Sequence, residues 1–225
     1  MPFKRILPRI CLWLLFPSWS AAQTIWTEEF PFAAELPSNE MTCIHQDRDG
    51  FIWTGTTNGL ARYDGYRLQT FQANRHDPSR LTNNHITCLA EDSLRLWVGT
   101  AHGLTLIDKQ TCRTDLPEAD VLRNTRIRAL CTDGQNTVWA ATDHQILRFH
   151  LSPHPQDTLF IPPNGDSYNH INSLFYDPPT ETLWICATQG IFTWSARERH
   201  LRELPADGQP ANPTGLFRDR DGHYW

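Results

Sequence analysis

The chain has 225 residues with 20 basic and 25 acidic side chains, which gives a formal net charge of −5. An acidic surface does not attract phosphate backbones or anionic lipid, so nucleic acid is not an expected partner. With 40% hydrophobic and 11% aromatic residues, the chain is too apolar to be intrinsically disordered.

Residues 1–22 have the three zones of a secretory signal peptide. A basic stretch is followed by an apolar run over residues 10–16 and by the small residues Ser20, Ala21 and Ala22. The apolar run is far shorter than the roughly 20 residues of a membrane-spanning helix, which is the alternative interpretation. We predict cleavage after Ala22, giving an exported mature chain with no membrane span and a net charge of about −8.

A tryptophan-centred segment recurs along the rest of the chain. The repeated residues are Trp53, Trp97, Trp139, Trp184 and Trp225, separated by 44, 42, 45 and 41 positions. A period slightly above forty, with turn residues at fixed offsets, is typical of a β-propeller whose units are four-stranded blades. Short runs rich in β-branched and aromatic residues favour strands over the helix pairs that share this period. We therefore predict an all-β fold, a propeller of four-stranded antiparallel blades.

The first repeat shows the blade most clearly. We predict an inner strand over residues 41–47, then strands over 51–56, 59–64 and 67–71. Gly50, Asn58-Gly59 and Asp64-Gly65 supply the turn chemistry that tight hairpins need.

The predicted organisation is an incomplete propeller over residues 39–225, preceded by the signal peptide and by a strand-like segment over residues 23–38. The blades are expected at 39–73, 81–116, 124–160 and 168–204, with the start of a fifth at 211–225. One hypothesis is that residues 23–38 supply the outer strand of the last blade. A truncated reading frame and a complete four-bladed ring that discards residues 212–225 both remain open.

The repeated tryptophan and the cysteines are interpreted as packing residues. One large ring per blade is expected to separate neighbouring sheets, with sugar stacking as the alternative. Cys43 and Cys88 occupy a position that is small in every repeat, and Cys186 replaces a glycine or alanine of the other repeats. Because Cys43 and Cys88 lie at matching points of neighbouring blades, we expect them to be too far apart for a disulfide. Cys112 and Cys131 are less constrained.

No metal, cofactor or catalytic residue is predicted. The turns Asp47 to Gly50 and Asp219 to Gly222 resemble the start of a calcium loop, but the remaining oxygen ligands and the closing glutamate are missing. No hydrolase elbow, zinc-protease helix or phosphate-binding glycine loop occurs in the sequence. Histidines that recur near the turns, such as His85 and His170, are interpreted as polar turn residues, with a metal cluster as the alternative.

A ligand is expected on the face where the turns between second and third strands meet the connections between blades, beside the central channel. The predicted ligand-binding residues are Asn58, His102, His144 and Gln189 in the turns, and Asn39, Asn84, Thr125 and Asn169 before the inner strands. Uncharged amides, hydroxyls and imidazoles favour a neutral, hydroxyl-rich ligand such as an oligosaccharide over a phosphate.

The segment from Leu36 through the Asp47 turn and the Trp53 strand to Tyr66 closely resembles the two-component regulator propeller repeats. The segment from Leu81 to Leu89 fits the same pattern, whereas the third and fourth repeats depart from it at Ala141, Gln145, Cys186 and Ala187. That family forms the periplasmic sensor of hybrid two-component histidine kinases, which are common in Bacteroidetes.

The resemblance implies a parent receptor with paired seven-bladed propellers, a β-sandwich, one membrane helix and then kinase, receiver and DNA-binding modules. It also implies a dimeric receptor on the periplasmic side of the inner membrane that detects polysaccharide breakdown products and regulates transcription. This chain contains none of the downstream motifs and is predicted to have no kinase activity. The alternatives are an exported propeller enzyme of lyase or dehydrogenase type and a non-catalytic adhesion or scaffold module.

The predicted leader defines the mature N-terminus. When the chain is expressed in a Gram-negative host, we expect the periplasmic protein to begin at Gln23, as measured by intact mass. Ala22→Arg places a large charged side chain at the cleavage position, so this variant should keep all 22 leader residues. A wild-type chain that stays in the cytoplasm with Met1 attached would contradict the prediction.

Overall fold

The structure is a computed structural model that describes residues 32–74, 77, 80–150, 154–160, 169–195, 197–205 and 212–225. The chain divides into two units, Met1–Pro31 and Phe32–Trp225, and every described residue belongs to the second. The predicted signal peptide and most of the predicted strand segment 23–38 lie outside the described residues. None of the helices in the described part of the chain has the length and apolar content needed to cross a membrane.

The described residues form four antiparallel sheets, each with its four strands in chain order. Blade 1 contains β1 (Met41–Gln46), β2 (Ile52–Thr56), β3 (Gly59–Tyr63) and β4 (Leu68–Phe71). Blade 2 contains β5 (Ile86–Glu91), β6 (Arg95–Thr100), β7 (Gly103–Asp108) and β8 (Thr114–Asp115). Blade 3 contains β9 (Ala129–Thr132), β10 (Thr137–Ala141), β11 (Gln145–His150) and β12 (Pro155–Phe160). Blade 4 contains β13 (Ile171–Asp177), β14 (Thr182–Ala187), β15 (Gly190–Ser195) and β16 (His200–Glu203).

The prediction of four-stranded antiparallel propeller blades is confirmed. In blade 1 each strand begins and ends within one residue of its predicted position. The inner strands β1, β5, β9 and β13 lie side by side in that order, so each blade packs against the next. Two short 3-10 helices, Ala33–Glu35 and Asp120–Leu122, precede the inner strands of blades 1 and 3.

A hydrophobic core fills each boundary between neighbouring blades, and each core contains the tryptophan of a second strand. Trp53, Trp97 and Trp139 are at most 3% exposed. The ring centroids of Trp97 and of Phe149 in blade 3 are 4.9 Å apart, and those of Trp139 and of Tyr176 in blade 4 are 4.8 Å apart. Since buried aromatic rings dominate the energetics of a core, these indoles hold adjacent blades together.

Residues 212–225 begin a fifth repeat. Phe217 and Trp225 exchange both backbone hydrogen bonds, which forms the hairpin between a first and a second strand. The Tyr224 ring lies 4.5 Å from the ring of Trp184. The fifth repeat therefore covers the tryptophan of blade 4 as a following blade does in the earlier repeats.

The small residues of the first two strands face one another directly. The opposed pairs are Cys43 with Gly55, Cys88 with Gly99, Ala129 with Ala141, and Ser173 with Cys186. A Cβ atom added to Gly55 would lie 2.5 Å from the sulfur of Cys43 and 2.7 Å from Ile86 Cγ2. Each pair thus combines small side chains, with a glycine opposite cysteine in blades 1 and 2, and the described cysteines are all free thiols.

This pairing predicts compensation between the two positions. Gly55→Ala should lower the free energy of unfolding by about 1–3 kcal/mol because the new methyl group overlaps Cys43. Adding Cys43→Ala recreates the alanine pair of blade 3 and should recover most of the loss, as measured by urea unfolding. If the double variant is less stable than Gly55→Ala alone, the compensation is refuted.

An aspartate between the first and second strands closes the turn and also binds the tryptophan. In blade 2, Asp92 Oδ1 accepts the backbone N–H groups of Leu94 and Arg95 at 2.8 and 2.7 Å, and Oδ2 accepts Trp97 Nε1–H at 2.8 Å. Asp47 and Asp219 accept the indole N–H of Trp53 and Trp225 in the same way, at 2.7 and 2.8 Å. One carboxylate therefore fixes the hairpin and satisfies the indole.

Blades 3 and 4 lack this indole bond. Asp133 accepts the backbone N–H groups of Gln135 and Thr137, but Trp139 Nε1 has no hydrogen-bond partner among the described residues. In blade 4 the turn is one residue longer than in blades 1 and 3, and Asp177 Oδ2 accepts the hydroxyl of Tyr224 at 2.8 Å. The turn interpretation of these aspartates is therefore incomplete, because the second carboxylate oxygen serves the core between blades.

The two kinds of aspartate form a matched pair for experiment. Asp47→Ala leaves the buried indole N–H and two turn amides without an acceptor, whereas Asp133→Ala affects turn amides alone. We expect Asp47→Ala to cost about 1–3 kcal/mol more than Asp133→Ala in urea unfolding. Equal losses would show that the indole bond adds nothing to stability.

Candidate ligand-binding face

The turns between second and third strands lie beside the starts of the inner strands, and together they form what we call the upper face. In blade 2 the N–H of Ala101 donates to the carbonyl of His85 at 2.9 Å, and in blade 4 the N–H of Thr188 donates to the carbonyl of His170 at 2.8 Å. Thr57 bonds Glu40 similarly in blade 1. These bonds place the turn side chains next to the connections between blades.

A threonine at the end of the second strand shapes these turns. Thr56 Oγ1 donates to the carbonyl of Gly59 at 2.8 Å and accepts the N–H of Asn58 at 3.1 Å. Thr100 makes the equivalent bonds in blade 2, accepting the N–H of His102. The side chains of Asn58 and His102 are consequently exposed on the upper face.

The predicted asparagines of blades 1 and 2 meet across the blade boundary. Asn84 Nδ2 donates to Asn58 Oδ1 at 3.3 Å, while Asn84 Oδ1 accepts the N–H of Ala73 at 2.6 Å. Asn58 Nδ2 donates to the carbonyl of Pro37 at 3.2 Å. Both amides therefore also join the connections to the blades, and Asn39 is exposed before β1.

The predicted residues of blades 3 and 4 form a second group. The rings of His144 and His170 stack with their centroids 5.1 Å apart. Asp143 Oδ1 lies 3.6 Å from His170 Nδ1 and accepts a hydrogen bond from Arg128 Nε. Asn169 is only 2% exposed and accepts the N–H of Gln189 at 3.0 Å, so its amide is a structural element of the turn.

A cavity of about 270 Å³, which we call the connection cavity, lies between the connections that lead into blades 2 and 3. Leu81, Leu104 and Leu122 contribute apolar walls, and His102 and Arg123 contribute polar groups. Thr125 follows this connection, and its carbonyl accepts the N–H of Gly103 at 2.9 Å.

A second cavity, of about 340 Å³, is lined by residues from all five repeats, and we call it the axial cavity. Its ring consists of the residues five positions before each turn aspartate, namely Thr42, Thr87, Arg128, Asn172 and Thr214. His85 and Arg126, two positions earlier in their repeats, also line it. The sequence interpretation missed the two arginines, although counting back from the repeated aspartate identifies this ring.

The thiols near the inner strands are not nucleophiles at neutral pH. Burial raises the pKa of Cys88 to about 12 and that of Cys131 to about 12. Burial also raises the pKa of Cys43. Because the thiolate is the reactive species, these side chains act as small packing groups beside the channel.

Asp219, Asp221 and His223 bring their ligand atoms within 4.8 Å of one another in the fifth-repeat turn. Asp219 is already used structurally, since it accepts bonds from the Trp225 indole and from the backbone of His223 and Asp221. These hydrogen bonds, the indole bond first, lower the pKa of Asp219. The arrangement matches the turns of the other repeats and needs no cation to explain it.

The blades and the upper face define a β-propeller with a concave channel face. Within it, the sequence model for the two-component regulator propeller matches residues 35–58 and 80–102, so the resemblance seen in the sequence is confirmed over these two segments. Among curated proteins, no sequence matches the chain.

Solved structures with the same fold include extracellular domains of bacterial receptors. The domain of BT4673 from B. thetaiotaomicron, assigned as a hybrid two component system, has a TM-score of 0.60 and 23% identity over 81% of this chain. The domain of BT3049, assigned likewise from the same organism, has a TM-score of 0.64 and 18% identity over 84% of this chain. The chain spans 24% and 26% of these two domains.

Propeller enzymes share the fold as well. Virginiamycin B lyase from Staphylococcus aureus has a TM-score of 0.60 and 14% identity, with 83% of this chain and 62% of the lyase aligned. At these identities the structural matches establish the fold, and function has to be argued from the site.

Proposed function

We propose that this chain is a ligand-sensing part of the extracytoplasmic region of a hybrid two-component sensor histidine kinase. The observation that carries the proposal is the axial cavity, where side chains from five repeats meet, and segments of two of these repeats match the regulator-propeller model. A cavity that collects a different side chain from each blade is suited to recognising a small molecule. Hydroxyl, amide, imidazole and guanidinium groups around it favour an oligosaccharide.

The same proposal covers the location and the partners of the chain. The leader over residues 1–22 directs it to the periplasmic side of the inner membrane, where polysaccharide fragments arrive. In the full-length receptor, binding is passed through a dimer to the kinase and then to transcription. The chain itself is not an enzyme in this proposal, and its structural relatives among bacterial receptors support that role.

A propeller enzyme is the competing function, favoured by the likeness to virginiamycin B lyase. The described cysteines nearest the channel are held as thiols, which removes them as nucleophiles. The two functions differ in what happens to a bound saccharide. Mass spectrometry of the saccharide after overnight incubation returns it unchanged for a sensor and cleaved for a lyase.

The position of the ligand is tested by two histidine variants and a control. Oligosaccharides found to bind on a glycan array are measured by calorimetry. His85→Ala should weaken binding by about fivefold or more, since it removes one hydrogen bond in the axial cavity. His102→Ala tests the connection cavity, and His200→Ala on the outer strand β16 is the control.

Unchanged binding by His85→Ala, with a loss in His102→Ala, would move the site to the connection cavity. A chain that binds no saccharide on the array would contradict oligosaccharide sensing. Circular dichroism of each variant should match the parent, because all three side chains are partly or fully exposed.

A further inference from the structure

The axial cavity is basic, although the chain as a whole is acidic. Arg126, Arg128 and His85 line it, and none of its described lining residues is an aspartate or glutamate. The whole chain, by contrast, has 25 acidic and 20 basic residues. A cavity lined by positive charge raises the local concentration of anions, even when the rest of the protein surface is acidic.

The two arginines differ in their partners. Arg128 Nε is paired with Asp143 Oδ1, so its charge is largely neutralised within the upper face. Arg126 is exposed, and within the described part of the chain no carboxylate forms an ion pair with it. Arg126 therefore presents a full positive charge and its fork of N–H donors to the cavity.

The remaining lining groups suit sugar hydroxyls. Thr87 Oγ1 donates to the carbonyl of Ile127 at 2.7 Å, which leaves the oxygen as an acceptor. Asn172 Nδ2 donates to Asn212 Oδ1 and to the carbonyl of Pro213 at 2.8 and 2.9 Å, which leaves its Oδ1 as an acceptor. Acceptors beside one cation match a molecule that has hydroxyl donors and one anionic group.

We propose that the axial cavity binds an acidic saccharide, and that Arg126 contacts its carboxylate or sulfate group. This rests on the proposed sensing function and makes its ligand class specific. Charge-assisted bonds from a guanidinium to a carboxylate or sulfate are about twice as strong as neutral ones, so they discriminate against a neutral sugar of the same shape. The volume of about 340 Å³ lies within the range of small-molecule sites.

The experiment compares acidic and neutral probes on the full chain. Trigalacturonic acid supplies carboxylates, an unsaturated chondroitin sulfate disaccharide supplies a sulfate and a carboxylate, and galactotriose is the neutral probe. Sodium sulfate alone tests the anion without a sugar. Calorimetry at 50 and 300 mM NaCl is run on the wild type, Arg126→Gln, Arg126→Lys and the control Arg67→Gln, whose exposed side chain lies in the turn between β3 and β4.

We expect at least one acidic probe to bind at least about tenfold more tightly than galactotriose, and binding to weaken with salt. Arg126→Gln should remove this preference, Arg126→Lys should keep part of it, and Arg67→Gln should leave it intact. Tighter binding of galactotriose, an acidic probe unaffected by Arg126→Gln, or sodium sulfate binding as well as the saccharide would each overturn the proposal. The sensing function stands in the first two cases, whereas a chain that binds none of the saccharides contradicts both proposals.

Discussion

The bond between a turn aspartate and the indole of the second strand is the interaction on which the first two blades depend. A fully buried indole N–H needs an acceptor, and a buried carboxylate needs donors. In blade 2 Asp92 is 1% exposed and receives three N–H groups, two from the turn and one from Trp97. The bond supplies an acceptor for the indole and a donor for the carboxylate. It also connects the hairpin turn to the core between blades.

In blade 4 the turn aspartate makes a different bond to the neighbouring repeat. In blade 4 the indole N–H of Trp184 has no hydrogen-bond partner among the described residues, and Asp177 accepts the hydroxyl of Tyr224 from the following repeat. The Tyr224 ring also packs against Trp184, with the two ring centroids 4.5 Å apart and the planes tilted by 35°. Asp92 bonds the tryptophan of its own blade, whereas Asp177 bonds a tyrosine of the next repeat. Both aspartates link a turn to a core between blades.

The fold was predictable because the same packing residues recur in each blade. The period of the tryptophans, the glycines of the turns and the alternation of apolar residues are local features, and they placed the strands of blade 1 to within one residue. The sequence predicts that Cys43, Gly55, Ser173 and Cys186 occupy positions for small residues. It does not predict that Cys43 pairs with Gly55 or that Ser173 pairs with Cys186. That the two positions face each other depends on the register of β1 with β2, which no single position reveals.

The candidate site was harder to predict because it depends on residues from different repeats converging at the axis. Turn residues such as Asn58 and His102 were identified from local chemistry, but Arg126 and Arg128 belong to no motif. Their common position at one cavity appears once four inner strands and the fifth repeat are brought together. The interpretation of the channel as uncharged came from selecting amides and imidazoles, and it missed the cations between them.

Within each repeat, the positions that stabilise the fold are therefore different from the positions that line the candidate site. Positions that face a neighbouring blade accept little change, because a single added methyl at Gly55 meets sulfur at 2.5 Å. Positions five residues before the aspartate line the axial cavity, and they hold threonine, arginine and asparagine in different repeats. A symmetric set of blades can in this way present an asymmetric ring of side chains, and an asymmetric ring is what the proposed discrimination between saccharides of similar shape requires.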